Sequence, residues 1–220
     1  MPITAFPDVR KATRDGLLAV GGDLHPDSLI LAYSNGIFPW PTEGMPLPWF
    51  CPPKRAIIEF ASVHRSRSLR RTLRKTELRL SVDEAFRRVM RGCAEMPREE
   101  GNGTWITADM LDAYGHLHDL GLAHSVEAWL GDELVGGIYG VSIGGTFSAE
   151  SMFRSVPNAS KLALVHLIDH LASRGLEWLD VQVMSKHVQA LGAKNIPRDE
   201  FLRRLKEMQA KQLDLFPARK

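Results

Sequence analysis

VGGIYGVSIGGTFSAESMFRSVPNASKLALVHLIDHLASRGLEWLDVQV, residues 135–183, changes its apolar spacing twice. It begins by alternating, passes into helical spacing and returns to alternation, the pattern of a strand, a crossover helix and a parallel strand. Thr146 to Phe153 reads as one strand, Asn158 or Ser160 caps a helix that Gly175 ends, and Leu176 to Val183 reads as the next strand. Side chains two apart on a strand share a face, which sends Asp180 and Gln182 the same way. A right-handed crossover lays their strand near the one carrying Glu150. Three polar groups then converge on one side of an otherwise apolar unit.

Before this stretch, Ser125–Leu130 and Leu134–Ser142 form a hairpin around Gly131 and Asp132, and Gly144 with Gly145 turns the chain into the Thr146 strand. Further upstream, Thr107 caps a helix ending at Gly121 after a charged, glycine-containing loop. Ser81 with Glu84 has the spacing of a capping box for a helix running toward Cys93. Downstream, Pro197 to Lys211 places Phe201, Leu205 and Met208 on one helical face. Helices, an antiparallel meander and a crossover into a parallel strand describe an α+β sandwich of the kind used by GNAT acetyltransferases. Such a fold suggests acyl transfer to an amine without establishing it. CoA-dependent members of that class hold pyrophosphate in a glycine-containing loop at the start of the crossover helix. Here the loop is RSVPNAS, residues 154–160, without glycine and with a proline that lacks an N–H. No CoA site is expected, and no other cofactor is implied.

The first fifty-odd residues differ in composition from the rest. They include GLLAVGGDL and ILAYSNGIFPWPTEGMPLPWFCPPKRA, and six of the 13 prolines fall between Phe38 and Pro53. This reads as a small irregular domain, residues 1–57, with one helix from Pro26 to Asn35, ahead of a GNAT-like domain at 58–220. From Ser62 the run SVHRSRSLRRTLRKTELRL carries Arg65, Arg67, Arg70, Arg71, Arg74, Lys75 and Arg79 with almost no acid among them. That is an electrostatic footprint for a phosphate backbone, with a solvated helix face as the plain alternative.

Other classes are disfavoured. A net charge of +2 does not by itself imply nucleic acid, and no apolar run approaches membrane-spanning length. The N-terminus MPITAFPDVRKATRDG lacks the apolar core of a signal peptide, so a cytoplasmic location is expected. Cys51 and Cys93 have no partners at metal-ligand spacing. Gly140 to Gly144 matches G-x-S-x-G, but it turns a strand into another strand, where a nucleophile elbow needs a helix. His166 and His170 are four apart, yet HLIDH lacks the glutamate of H-E-x-x-H. No metal site is expected.

Several blocks together resemble the leucyl/phenylalanyl-tRNA–protein transferases over nearly the whole chain. GGDL at Gly21, AYSNGIFPW ending at Trp40, GTWIT at Gly103, ELVGGIYGV at Glu133, ESMF at Glu150, NASK at Asn158, LDVQ at Leu179 and LGAKNIPR at Leu191 stand in that family's order. The resemblance implies an enzyme of the N-degron pathway. It would move leucine or phenylalanine, and methionine less well, from aminoacyl-tRNA to proteins beginning with arginine or lysine. It also implies a GNAT-like C-terminal domain and no membrane partner.

By the same resemblance, Asp180 and Gln182 match the family's catalytic pair and Glu150 its active-site glutamate. Trp40 and Trp105 match aromatics that line the site of the 3′-terminal adenosine. Ile138, Phe147, Met152, Leu164, Leu167 and Leu179 fall where the family builds its side-chain pocket, and Arg67, Arg70 and Arg71 in its tRNA-binding cluster. The chain departs from the family at Ile138, where methionine is usual, at Ser185, where asparagine is usual, and at Ser148-Ala149, where cysteine–glycine is usual. In this scheme Gln182 holds the attacking amine and Asp180 orients or polarises its amide. The rival readings are a CoA-dependent N-acetyltransferase and a non-catalytic tRNA-binding module.

Overall fold

The computed structural model describes residues 1–42, 44–96 and 104–217. Gly103 and most of the charged loop ahead of Thr107 lie outside these described residues. The proline-rich N-terminal stretch forms a three-stranded antiparallel sheet from β1 (Leu17–Val20), β2 (Phe38–Pro39) and β3 (Pro48–Phe50), with β3 in the middle. Helix α1 (Pro26–Ser34) starts on a proline, whose missing N–H costs nothing in a first turn. It buries Leu29, Ala32 and Tyr33.

The larger sheet has seven strands. They are β4 (Lys54–Glu59), β5 (Arg79–Val82), β6 (Ala123–Leu130), β7 (Glu133–Ile143), β8 (Thr146–Arg154), β9 (Trp178–Gln182) and β10 (Lys194–Pro197). Their order is β10-β4-β9-β8-β7-β6-β5, and the β8–β9 pair is parallel while the other pairs are antiparallel. The protein is an α+β fold built on a mixed sheet, and the strand–helix–strand unit read from residues 135–183 forms its centre. The composition boundary at residue 57 falls inside β4. A strand that begins with the last of the proline-rich residues is thus inserted between β9 and β10, two strands from the far end of the chain.

Two cores lie on the sheet's two faces. Helix α5 (Ala159–Ala172) packs on β6, β7 and β8 and is buried on nearly all sides, with Leu162, Leu164, Val165, Leu167, Ile168 and Leu171 at 2% exposure or less. Each such burial is worth about 1.5–3 kcal/mol. A Cβ at Gly136 would stand 2.6 Å from Ala159 Cβ, so only glycine lets the first turn of α5 lie this close to β7. After the short α6 (Lys186–Gln189), helix α7 (Arg198–Gln209) lies against β4, β8 and β10, with Phe201, Leu205 and Met208 buried as the spacing predicts. The opposite core takes α1, α3 (Phe86–Glu95) and α4 (Ala108–Asp119). Thr107 caps α4 as read, its hydroxyl accepting from Met110 N–H at 3.3 Å.

The capping box expected at Ser81 and Glu84 does not form. Ser81 lies in β5 and donates its hydroxyl to Glu127 Oε2 at 2.5 Å, while Glu84 pairs with Arg79. Glu127, fully buried on β6, faces the N–H groups of Glu84 and Ala85 at 3.4 Å and does the capping from the sheet. A carboxylate from a distant strand has displaced the local pair that spacing alone suggests.

Candidate active site

The parallel strands β8 and β9 touch in register only at Ser148 and Asp180. Both are irregular there. Along β7–β8, Tyr139 faces Ser151 and Gly140 faces Ala149, which leaves Glu150 as an extra residue, a β-bulge. Along β4–β9, Ala56 faces Gln182 and Ile57 faces Asp180, which leaves Val181 extra. Gln182 has φ +59°, and Val183 N–H donates to Val181 C=O at 2.7 Å across it. This is a tight γ-turn in its rare left-handed form, a conformation that costs about 1–3 kcal/mol at a non-glycine residue. Asp180 and Gln182 therefore do not converge by strand alternation. A bulge and a strained turn bring them together.

Glu150 is the hub of the polar groups. Its Oε1 accepts from Gln182 Nε2 at 2.6 Å and from Tyr33 Oη at 2.8 Å, and Tyr33 Oη lies 2.5 Å from Tyr114 Oη. A phenol has one proton; since Tyr33 gives its own to Glu150, Tyr114 gives its own to Tyr33. Burial pushes the Glu150 carboxyl up to about 8, and the charge of Asp180 adds to the rise against the opposing bonds from Tyr33 and Gln182 and the charge of Arg55. Burial, with the Glu150 charge, also holds both phenols well above their ordinary range, so they remain donors. Near neutral pH Glu150 is thus protonated. Two donors already occupy Oε1, so the proton belongs on Oε2, which is buried and has no hydrogen-bond partner among the described residues.

Asp180 is arranged differently. Its Oδ1 accepts from Arg55 Nε at 2.8 Å and from the backbone N–H of Gln182 at 2.9 Å. Its Oδ2 accepts from Arg55 Nη2 at 2.7 Å and from Ser148 Oγ at 3.0 Å. Asp180 meets Gln182 through its backbone N–H, and the amide itself is held by Glu150, so any orienting of the amide by Asp180 acts through the backbone.

Around this centre, the rings of Trp40 and Trp105 lie 6.1 Å apart, and Trp40 also neighbours Phe38 and Phe50. Ile138, Phe147, Leu164, Leu167 and Leu179 are buried in one cluster with Met152 packed against it, and Ile138 faces Met152 across β7–β8. Helix α2 (Arg67–Lys75) buries Leu69 and turns Arg67, Arg70, Arg71, Arg74 and Lys75 outward. None of these five has an acidic partner among the described residues, whereas Arg65 pairs with Asp169 and Arg79 with Glu84.

Comparison with known proteins shows the family. The profile of the leucyl/phenylalanyl-tRNA protein transferases matches residues 57–206, and that of their N-terminal domain matches residues 22–53. The leucyl/phenylalanyl-tRNA–protein transferase of Anaeromyxobacter sp. (strain K) is 54% identical over 201 residues, 91% of this chain and 86% of the relative. That of Flavobacterium psychrophilum is 46% identical over 203 residues, 92% and 96% of the two chains. The chain belongs to the leucyl/phenylalanyl-tRNA protein transferase family. It is, with that, a transferase. Among solved structures, a GCN5-related N-acetyltransferase-like protein from Streptococcus suis aligns over 74% of this chain and 61% of its own at 14% identity and a TM-score of 0.40. So distant a likeness carries no functional weight.

Within this family member, four residues at the centre escape sequence reading: Arg55, Tyr33, Tyr114 and Ser148. Tyr33 sits in the AYSNGIFPW block, beside residues that the family resemblance does single out. Arg55 ends a proline-rich loop and looks there like one more surface cation. Among the described residues His166 and His170 belong to no metal-ligand set, and His170 Nε2 lies 3.0 Å from Leu215 C=O. Cys51 and Cys93 are both buried.

Proposed function

We propose that this chain transfers leucine, phenylalanine and, less well, methionine from aminoacyl-tRNA to the α-amino group of proteins that begin with arginine or lysine. Its setting is the cytoplasm and the N-degron pathway. The single observation that carries the reading beyond family membership is the buried Gln182–Glu150 junction, one end of which is an amide held in place and the other a neutral acid with an unused donor.

An aminoacyl ester is already activated, so the enzyme chiefly aligns a neutral amine with the ester carbonyl. About a sixth of an ordinary α-amine is neutral at pH 7. With Nε2 engaged by Glu150, the Gln182 oxygen is the group that accepts a hydrogen bond from that amine and aims its lone pair. The amine nitrogen bonds to the carbonyl carbon, negative charge develops on the carbonyl oxygen, and Glu150 Oε2–H is the donor for it. The ester C–O bond then breaks, and the ribose oxygen leaves with the proton that the amine gives up. Asp180, whose oxygens already take four donors, is no base in this scheme; it positions Gln182.

Trp40 and Trp105 offer a stacking surface for the terminal adenosine, and the Ile138–Met152 cluster receives the transferred side chain. The α2 arginines meet phosphates, which carry affinity without sequence information. Acceptor choice is tested with peptides matched except for the first residue. Arginine and lysine should be labelled from leucyl-tRNA and aspartate should not; equal labelling of all three would remove the proposed acceptor class.

A further inference from the structure

Arg55 is 1% exposed. Its Nε and Nη2 grip both oxygens of Asp180, its Nη1 donates to Gly36 C=O at 3.1 Å, and its guanidinium lies 4.6 Å from the ring centres of both Phe38 and Phe201. Burial works against this charge, and the Asp180 carboxylate outweighs it, raising the hold on the proton. Arg55 therefore joins the N-terminal segment, β9 and α7 at one point. Asp180 in turn takes the Gln182 N–H in the strained turn. A residue held at φ +59° relaxes unless its surroundings fix it.

We infer that Arg55 is a positioning residue for the transfer reaction: it immobilises the Asp180 carboxylate, which with Ser148 fixes the left-handed turn at Gln182 and so aims the amide at Glu150 and at the acceptor amine. The inference rests on the proposed function and goes one step outward from it. A lysine at position 55 keeps the charge but cannot make two parallel bonds to a carboxylate. The amide would then lose its aim while the surfaces that bind tRNA stay as they are.

The test is a cycle of Arg55→Lys, Asp180→Asn and the double variant, with single-turnover transfer from leucyl-tRNA, leucyl-tRNA affinity and thermal unfolding measured for each. The parent is assayed first, so failure of the proposed function shows as no transfer by any protein. Arg55→Lys is expected to slow transfer about 10- to 100-fold with tRNA affinity within about twofold of the parent. In the Asp180→Asn background the same change should cost no more than about threefold, because Arg55 acts through Asp180. Multiplying effects, an unchanged rate, or a loss confined to tRNA affinity would each overturn the inference. If Arg55→Lys does not fold, Ser148→Ala decides, since it removes a single bond to Asp180 Oδ2. A severalfold slower transfer at unchanged affinity supports the positioning role, and an unchanged rate overturns it.

Discussion

Gln182 Nε2 and Glu150 Oε1 stand 2.6 Å apart in a part-buried site, and desolvation raises the carboxyl to about 8. A carboxyl whose folded value lies above its unfolded one binds its proton more tightly when folded. Its contribution to stability is therefore complete below about 4.5, the ordinary value, and is lost as pH rises toward about 8. The full span corresponds to about 5 kcal/mol, as an order of magnitude. Glu150→Gln keeps an oxygen for Tyr33 and Gln182 and abolishes the titration. In urea denaturation it should match the parent to within about 1 kcal/mol at pH 5 and exceed it at pH 8.5. Parallel stability curves for the two proteins would show that Glu150 does not titrate in this range.

The same proton shapes the rate. Transfer should rise with pH as the acceptor amine becomes neutral, near its ordinary value of about 7.7, and fall as Glu150 ionises near pH 8. Glu150→Gln should keep the rising limb and lose the falling one. A parent profile that climbs to a plateau through pH 9.5 contradicts a role for the neutral acid.

Much of this was legible in the sequence where local signals decide structure. Apolar spacing over residues 135–183 gives β8, α5 and β9 within a few residues of their observed bounds, and the Thr107 cap and the Gly131-Asp132 hairpin follow from side-chain chemistry at fixed offsets. What sequence missed depends on non-local pairing. Strands β4, β5 and β10 lack clean alternation, and they become strands because neighbouring strands pair with them. Alternation put Asp180 and Gln182 on one face, yet a bulge at Val181 and the turn at Gln182 are invisible to any periodic rule. Arg55 and Tyr33 reach the site from a segment whose composition suggested a separate unit.

The five outward cations of α2 are expected to act through charge alone. Changing Arg67, Arg70 and Arg71 together to alanine should reduce the log–log salt slope of tRNA binding by about one unit or less per lost contact, with little change in preference among tRNA sequences. An unaltered slope in filter binding would make α2 an ordinary solvated helix.

The side-chain pocket should separate leucine from isoleucine. If the cluster of Ile138, Met152, Leu164 and Leu167 receives the transferred side chain as proposed, flexible Met152 and the leucines accommodate an unbranched Cβ, while a β-branched side chain meets Ile138, itself stiff. Shape discrimination of this kind is worth about 1–3 kcal/mol, so leucyl-tRNA should outrun an isoleucyl-charged version of the same tRNA by about 10-fold or more. Equal rates would move the pocket elsewhere. Ile138→Met, which puts a flexible side chain there, should favour phenylalanine relative to leucine.

The most direct measurement combines transfer and binding for one variant. Purified parent protein and Gln182→Ala are each mixed with radiolabelled leucyl-tRNA and a peptide beginning with arginine, and peptide label and tRNA affinity are followed together. The parent should label the peptide. Gln182→Ala should bind leucyl-tRNA as the parent does and transfer about 10²- to 10⁴-fold more slowly. A folded Gln182→Ala protein that transfers leucine within a few-fold of the parent would contradict the assignment of the Gln182–Glu150 junction as the centre of the reaction.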